Sequence, residues 1–162
     1  MEDFVPEQHA ATYADCHNRI ESTEAIESAL VQVAELDFTM LGRKLVVEKG
    51  WTIELVAEIE DLYRKFLALN MVYRDRKICP TGPIDEFWHA HILDTRAYAA
   101  DCQKLFGEYL HHFPYFGMRG PDDRDALESA FAASRELFIR HFGVDFCAGE
   151  VEARGCSPQR CP

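Results

Sequence analysis

Between Thr52 and Met71, the side chains Leu55, Ile59, Leu62, Phe66 and Leu69 recur at steps of four, three, four and three. That spacing lines one face of an α-helix with apolar groups, and a stripe of this length must be buried against other elements. Nothing in the chain alternates apolar and polar residues at comparable length. "RKLVVEK", residues 43–49, is the only short β-like patch. Helical spacing recurs in "TEAIESALVQVAEL" through Ile26, Leu30 and Val33. It appears again over 122–142, where Leu127, Phe131, Ser134, Phe138 and His141 share a stripe that stops at Gly143. Thr52 suits the N-cap of the 52–71 helix, and Glu60–Arg64 and Asp61–Lys65 suit its wet side as i,i+4 pairs. The expectation is an all-α, single-domain bundle of four to six helices.

A turn-rich connection, "RDRKICPTGP", precedes a further helix read as continuous from Pro83 to Phe106. Pro83 fits its first position, Asp85 and Glu86 complement the helix dipole, and Gly107 fits a left-handed C-terminal cap. The aromatic, proline-interrupted stretch 107–119 reads as an ordered loop. The helical domain spans 1–146, and 147–162 reads as a flexible tail carrying Cys147, Cys156 and Cys161.

Charge narrows the function. Twenty-eight acidic against seventeen basic residues give a net charge of −11, with no run of Lys and Arg, so nucleic acid and anionic membranes are not expected partners. No apolar run reaches the roughly 18 residues of a membrane span. No signal peptide is visible at the N-terminus, so the six cysteines read as reduced thiols of a cytoplasmic protein. The tail cysteine spacing fits no common zinc or iron–sulfur pattern. Cys102 falls on the apolar face of its helix, where a thiol is inert.

Within "PIDEFWHAHILDTRAYAADC", His89 and His91 stand two positions apart, which on a helix separates them by about 200°. On the wheel of a continuous helix, Ile84, Phe87, Trp88, His91, Thr95, Tyr98, Cys102, Leu105 and Phe106 form one broad face, with His91 near its middle. A buried imidazole needs partners, and Thr95 and Tyr98 are the local candidates. His89 has Asp85 one turn behind it, an arrangement that orients an imidazole or joins it in binding a metal. In a regular helix the two histidines cannot chelate one ion. Either each belongs to its own cluster or the helix is distorted, with loop histidines His111 and His112 supplying what is missing.

"FLALN", "DEFWHAHILDTRAYAADC" and "FGEYLHHFPYFG" resemble the glycine-rich domain-containing protein-like family. The residues that carry the resemblance are Asp85, Trp88, His89, His91, Leu93, Thr95, Tyr98, Gly107, His112 and Pro114, within a match over about residues 35–120. That family implies no settled reaction, and its glycine-rich tail is not matched by "CAGEVEARGCSPQRCP". Two functional readings follow from the residues themselves. In the first, His89, His91 and His112 bind zinc, iron or copper with Asp85 as fourth ligand or orienter, and Trp88, Thr95, Tyr98, His111 and Tyr115 form a second shell or face a substrate. In the second, the histidines are a polar network and an aromatic groove around Trp88 and Tyr115 binds a protein or peptide.

Overall fold

A computed structural model describes residues 13–147 of the chain. Among them are six helices and no strand: α1 (Tyr13–Ala34), α2 (Thr39–Lys49), α3 (Ile53–Val72), α4 (Gly82–Leu93), α5 (Thr95–Phe106) and α6 (Pro121–Phe142). The all-α bundle expected from periodicity is the fold observed. Cys156 and Cys161 lie outside the described residues.

The apolar stripe of α3 makes it the hub. Leu55, Ile59, Leu62, Phe66 and Leu69 are all buried, and α1, α2, α4 and α6 each pack against this helix. Thr52 caps it, its hydroxyl accepting from the Leu55 amide at 3.2 Å. On its wet side Arg64 pairs with Glu60 and also donates to the carbonyls of Val33 and Leu36 at 2.6 and 3.0 Å. Val33 is in the last turn of α1 and Leu36 just beyond it, where carbonyls lack i+4 amides, so one guanidinium ties this end of α1 to α3.

The strand-like patch "RKLVVEK" is helical, forming most of α2. Leu45 is buried within it, Gly50 ends it in the left-handed conformation, and Gly42 lies so close to α3 that a Cβ there would sit 2.9 Å from Val56. Helical burial of Leu45 and this close approach outweigh the weak strand preference of Val46 and Val47.

The helix read as continuous over 83–106 is broken. Asp94 ends α4 and begins α5, with φ −81° and ψ 70°, and its carboxylate accepts from the Ala97 amide at 3.4 Å. The two short helices pack on each other. Residues ten apart in one straight helix would be about 15 Å apart along its axis. The break instead brings Trp88 to Tyr98, and His91 to Asp101, within hydrogen-bonding distance.

Beyond Gly107 the aromatic loop is partly pinned. Phe116 is buried, whereas Phe113 and Tyr115 are exposed. Asp123 in the first turn of α6 accepts from the amides of Gly117 and Arg119 and pairs with the Arg119 guanidinium, which holds its carboxyl down at a pKa of about 2. No described helix is long and apolar enough to cross a membrane. Cys79 and Cys102 are buried, and Cys147 is disulfide-bonded, so the expectation of reduced thiols throughout fails there.

Candidate functional site

Two histidine networks flank α4. The first is closed. His91 is 3% exposed, with its Nδ1 2.9 Å from the Tyr63 hydroxyl and its Nε2 3.1 Å from an Asp101 carboxylate oxygen. A carboxylate only accepts, so Nε2 carries the proton and donates to Asp101, leaving Nδ1 to accept from Tyr63. Phe38 and Tyr98 meet the ring edge-on at 5.0 and 4.9 Å. Burial lowers the His91 pKa, opposed by the charge and hydrogen bond of Asp101, and burial drives the Tyr63 phenol well above its ordinary range. Both ring nitrogens are thus committed within the core.

This corrects the sequence reading at three residues. His91 does not join the other histidines, because α4 is regular there and projects it towards α3. Thr95 is exposed at the start of α5 and does not partner it. Tyr98 touches its ring, but its hydroxyl accepts from the Trp88 indole at 2.9 Å and donates to the Leu110 carbonyl at 2.6 Å. The true partners escaped notice for different reasons. Tyr63 is 28 residues away, and Asp101 faces outward on a continuous wheel.

The second network is open. Asp85, in the first turn of α4, is buried, and His112 comes from the loop beyond α5. The Asp85 carboxylate lies 3.2 Å from His112 Nε2 through one oxygen and 3.6 Å from His89 Nδ1 through the other. His89 Nε2 and His112 Nε2 are 3.1 Å apart. One ligand atom from each of the three residues lies within 4.8 Å of the other two. The His89 side chain is 45% exposed, against 7% for Asp85 and 11% for His112, so the cluster rests on a buried carboxylate and opens through His89.

The loop reaches this position through a buried relay. The Trp88 indole donates to Tyr98, and Tyr98 donates to Leu110, two residues before His112. The His112 ring then packs against Trp88 at 4.7 Å. Trp88 is buried and Tyr115 stands in solvent against Phe113, so these two rings do not form one exposed groove. His111 turns away from His112 and contacts Tyr109 at 5.0 Å. Burial raises the Cys102 thiol pKa, in keeping with an inert core thiol.

Chemically, the open cluster concentrates acceptors. Two imidazole nitrogens 3.1 Å apart beside a carboxylate are held together only by a shared proton or a cation. For a metal bound tetrahedrally at 2.0–2.1 Å, neighbouring ligand atoms are separated by about 3.3 Å. The two short edges of the cluster are close to that value. The donor set therefore fits a metal ion.

The fold and site define a small all-helical protein with a two-histidine, one-aspartate cluster between a helix start and a loop. The chain belongs to the UCP032817-like family, whose signature matches residues 29–136 and so takes in both histidine networks. That assignment overturns the resemblance to the glycine-rich domain-containing protein-like family: the Trp-His-x-His segment falls inside the match, but the family it marks is a different one. The chain matches no curated protein and no solved structure.

Proposed function

We propose that Asp85, His89 and His112 hold a single divalent transition-metal ion, zinc or iron(II), and that the ion serves a catalytic role. The carrying observation is the convergence of His89, His112 and Asp85 ligand atoms at 3.1 and 3.2 Å on the half-exposed side of α4. Three protein ligands leave coordination positions free, which is the pattern of catalytic sites; structural zinc sites are closed by four. Two histidines and one carboxylate are also the set used for non-haem iron(II). The cluster contains no thiolate or thioether, which disfavours copper(I). When bound, such an ion supplies Lewis acidity and an activated water or open position for substrate. The chain's own contribution is positional. Asp85 anchors the cluster from inside, Trp88 backs the His112 ring, and the Tyr98–Leu110 bond fixes the loop that carries it. On this reading the partner is a small substrate that reaches the ion through the exposed His89 side.

Elemental analysis of protein purified without an affinity tag, followed by titration of chelator-treated protein with zinc and iron(II), tests this directly. The expected outcome is about one ion per chain in the unmodified protein and in His91→Gln, and its loss in His112→Ala and Asp85→Asn. Folded protein that takes up neither metal overturns the proposal.

A further inference from the structure

Beside Trp88, and lined by none of Asp85, His89 and His112, is a cavity of about 330 Å³. Its walls include Trp88, Phe113 and Phe116, and its mouth carries Arg74, Arg76 and Lys77 from the α3–α4 connection. We propose that this cavity binds a small ligand with a planar apolar body and one anionic group, a carboxylate or a phosphate.

The charge pattern is the main argument. The chain as a whole carries −11, yet three cations line this cavity and Glu108 is the only acid that does. Glu108 is 4.0 Å from Arg74 and offsets that one charge. Asp75, in the middle of "RDRK", is not part of the lining. Arg76 and Lys77 have no carboxylate in ion-pair range among the described residues. Each lies over an aromatic ring instead: Arg76 over Tyr73 at 5.2 Å and Lys77 over Phe116 at 4.1 Å. A ring face positions a cation while leaving its N–H groups free to donate, which suits an incoming anion. Tyr73 is itself fixed by its hydroxyl contact with His141 Nε2 at 2.6 Å.

Size and lining set the rest of the ligand. The volume is at the lower end of the roughly 300–1,000 Å³ typical of small-molecule sites. The indole and phenyl side chains in the lining suit a flat apolar body. None of the three cluster residues lines the cavity, so the inference stands independently of a metal.

The test uses the full chain and four probes of one shape: naphthalene-2-carboxylate, 2-naphthyl phosphate, naphthalene-2-methanol and naphthalene-2-methylammonium, followed by calorimetry and ligand-observed NMR. Both anions should bind more tightly than the alcohol, and the tighter of the two identifies the preferred group. Arg76→Gln/Lys77→Gln should weaken the anions by at least about tenfold while leaving the alcohol unchanged. Added salt should weaken the anions alone, a readout on unmodified protein that needs no variant. Binding should persist in metal-free protein and in His112→Ala, which separates this site from the metal cluster. The inference is overturned if the alcohol or the ammonium binds as well as the anions, if neither anion binds, or if the double variant changes nothing.

Discussion

His89 and His91 occupy opposite sides of α4, and the two sides solve different problems. On the His91 side every polar atom meets a partner of the opposite role: a phenol donates to a bare nitrogen, and a protonated nitrogen donates to a carboxylate. On the His89 side, two nitrogens and a carboxylate face one another around shared protons, in an arrangement that could also hold a cation. A closed network stabilises the fold because nothing further can be gained by adding a ligand. An open one shares protons among two nitrogens and a carboxylate that a cation can replace, and its exposure through His89 lets one arrive. The same helix therefore carries a structural histidine and a ligand-type histidine two positions apart.

The strongest way to break this comparison is to remove each imidazole in turn and measure stability by urea unfolding. His91→Ala leaves a buried Tyr63 hydroxyl and the Asp101 carboxylate without their partner and opens a cavity among Phe38, Tyr63 and Tyr98. It should cost about 3 kcal/mol or more. His112→Ala, which leaves the exposed His89 beside Asp85 as a remaining partner, should cost less, about 1 kcal/mol, in metal-free protein. If the two losses are equal or reversed, the division into structural and ligand networks is wrong.

Tyr98→Phe sharpens the same contrast with a smaller effect. It removes the hydroxyl that accepts from Trp88 and donates to Leu110, and should cost about 1–2 kcal/mol. Because Leu110 leads directly to His112, metal affinity should fall as well, on the order of tenfold, as when a supporting hydrogen bond to a metal site is lost. An unchanged affinity beside lowered stability would show that Trp88 packing alone places His112.

How far the sequence could be read depended on how local each signal was. The stripe of α3, the Thr52 cap, and the glycine stops at 107 and 143 are encoded within a few residues, and each appears in the structure. The spacing of Asp85 and His89 and the presence of His112 brought the open cluster within reach. Half of the closed one was hidden by a single residue. Asp94 can continue a helix or cap a new one, and the apolar periodicity ran straight past it. Reading it as a continuation turned Asp101 outward and made Thr95 a core candidate. Tyr63 stands beside Leu62 of the α3 stripe, and nothing nearby reveals that its hydroxyl ends on His91. The cationic cavity was equally hidden, because "RDRK" reads as a polar turn until the loop beyond α5 folds over it.

The smallest effect concerns a third histidine, which pairs with a tyrosine as His91 does but has no carboxylate partner among the described residues. His141 Nε2 meets the Tyr73 hydroxyl at the edge of α6. Partial burial is the first cause lowering its pKa below the ordinary 6.5, and the neighbouring Arg140 charge adds to it. A depressed folded-state value means that the unfolded chain takes up the proton first. The stability from the neutral pair is therefore present above pH 6.5 and is lost as pH falls through the folded value. Melting temperatures of the unmodified protein and His141→Gln should run parallel above that pH. Below it the difference should move in favour of the glutamine variant, which keeps a polar partner for Tyr73 but cannot titrate. The shift should be modest, because the ring is only half-buried and solvent screens the added charge. Parallel curves across the whole range would mean that His141 gains nothing from being neutral, and that a tyrosine contact alone does not make a histidine structural. The carboxylate on the far side of His91 would then be what distinguishes the closed network.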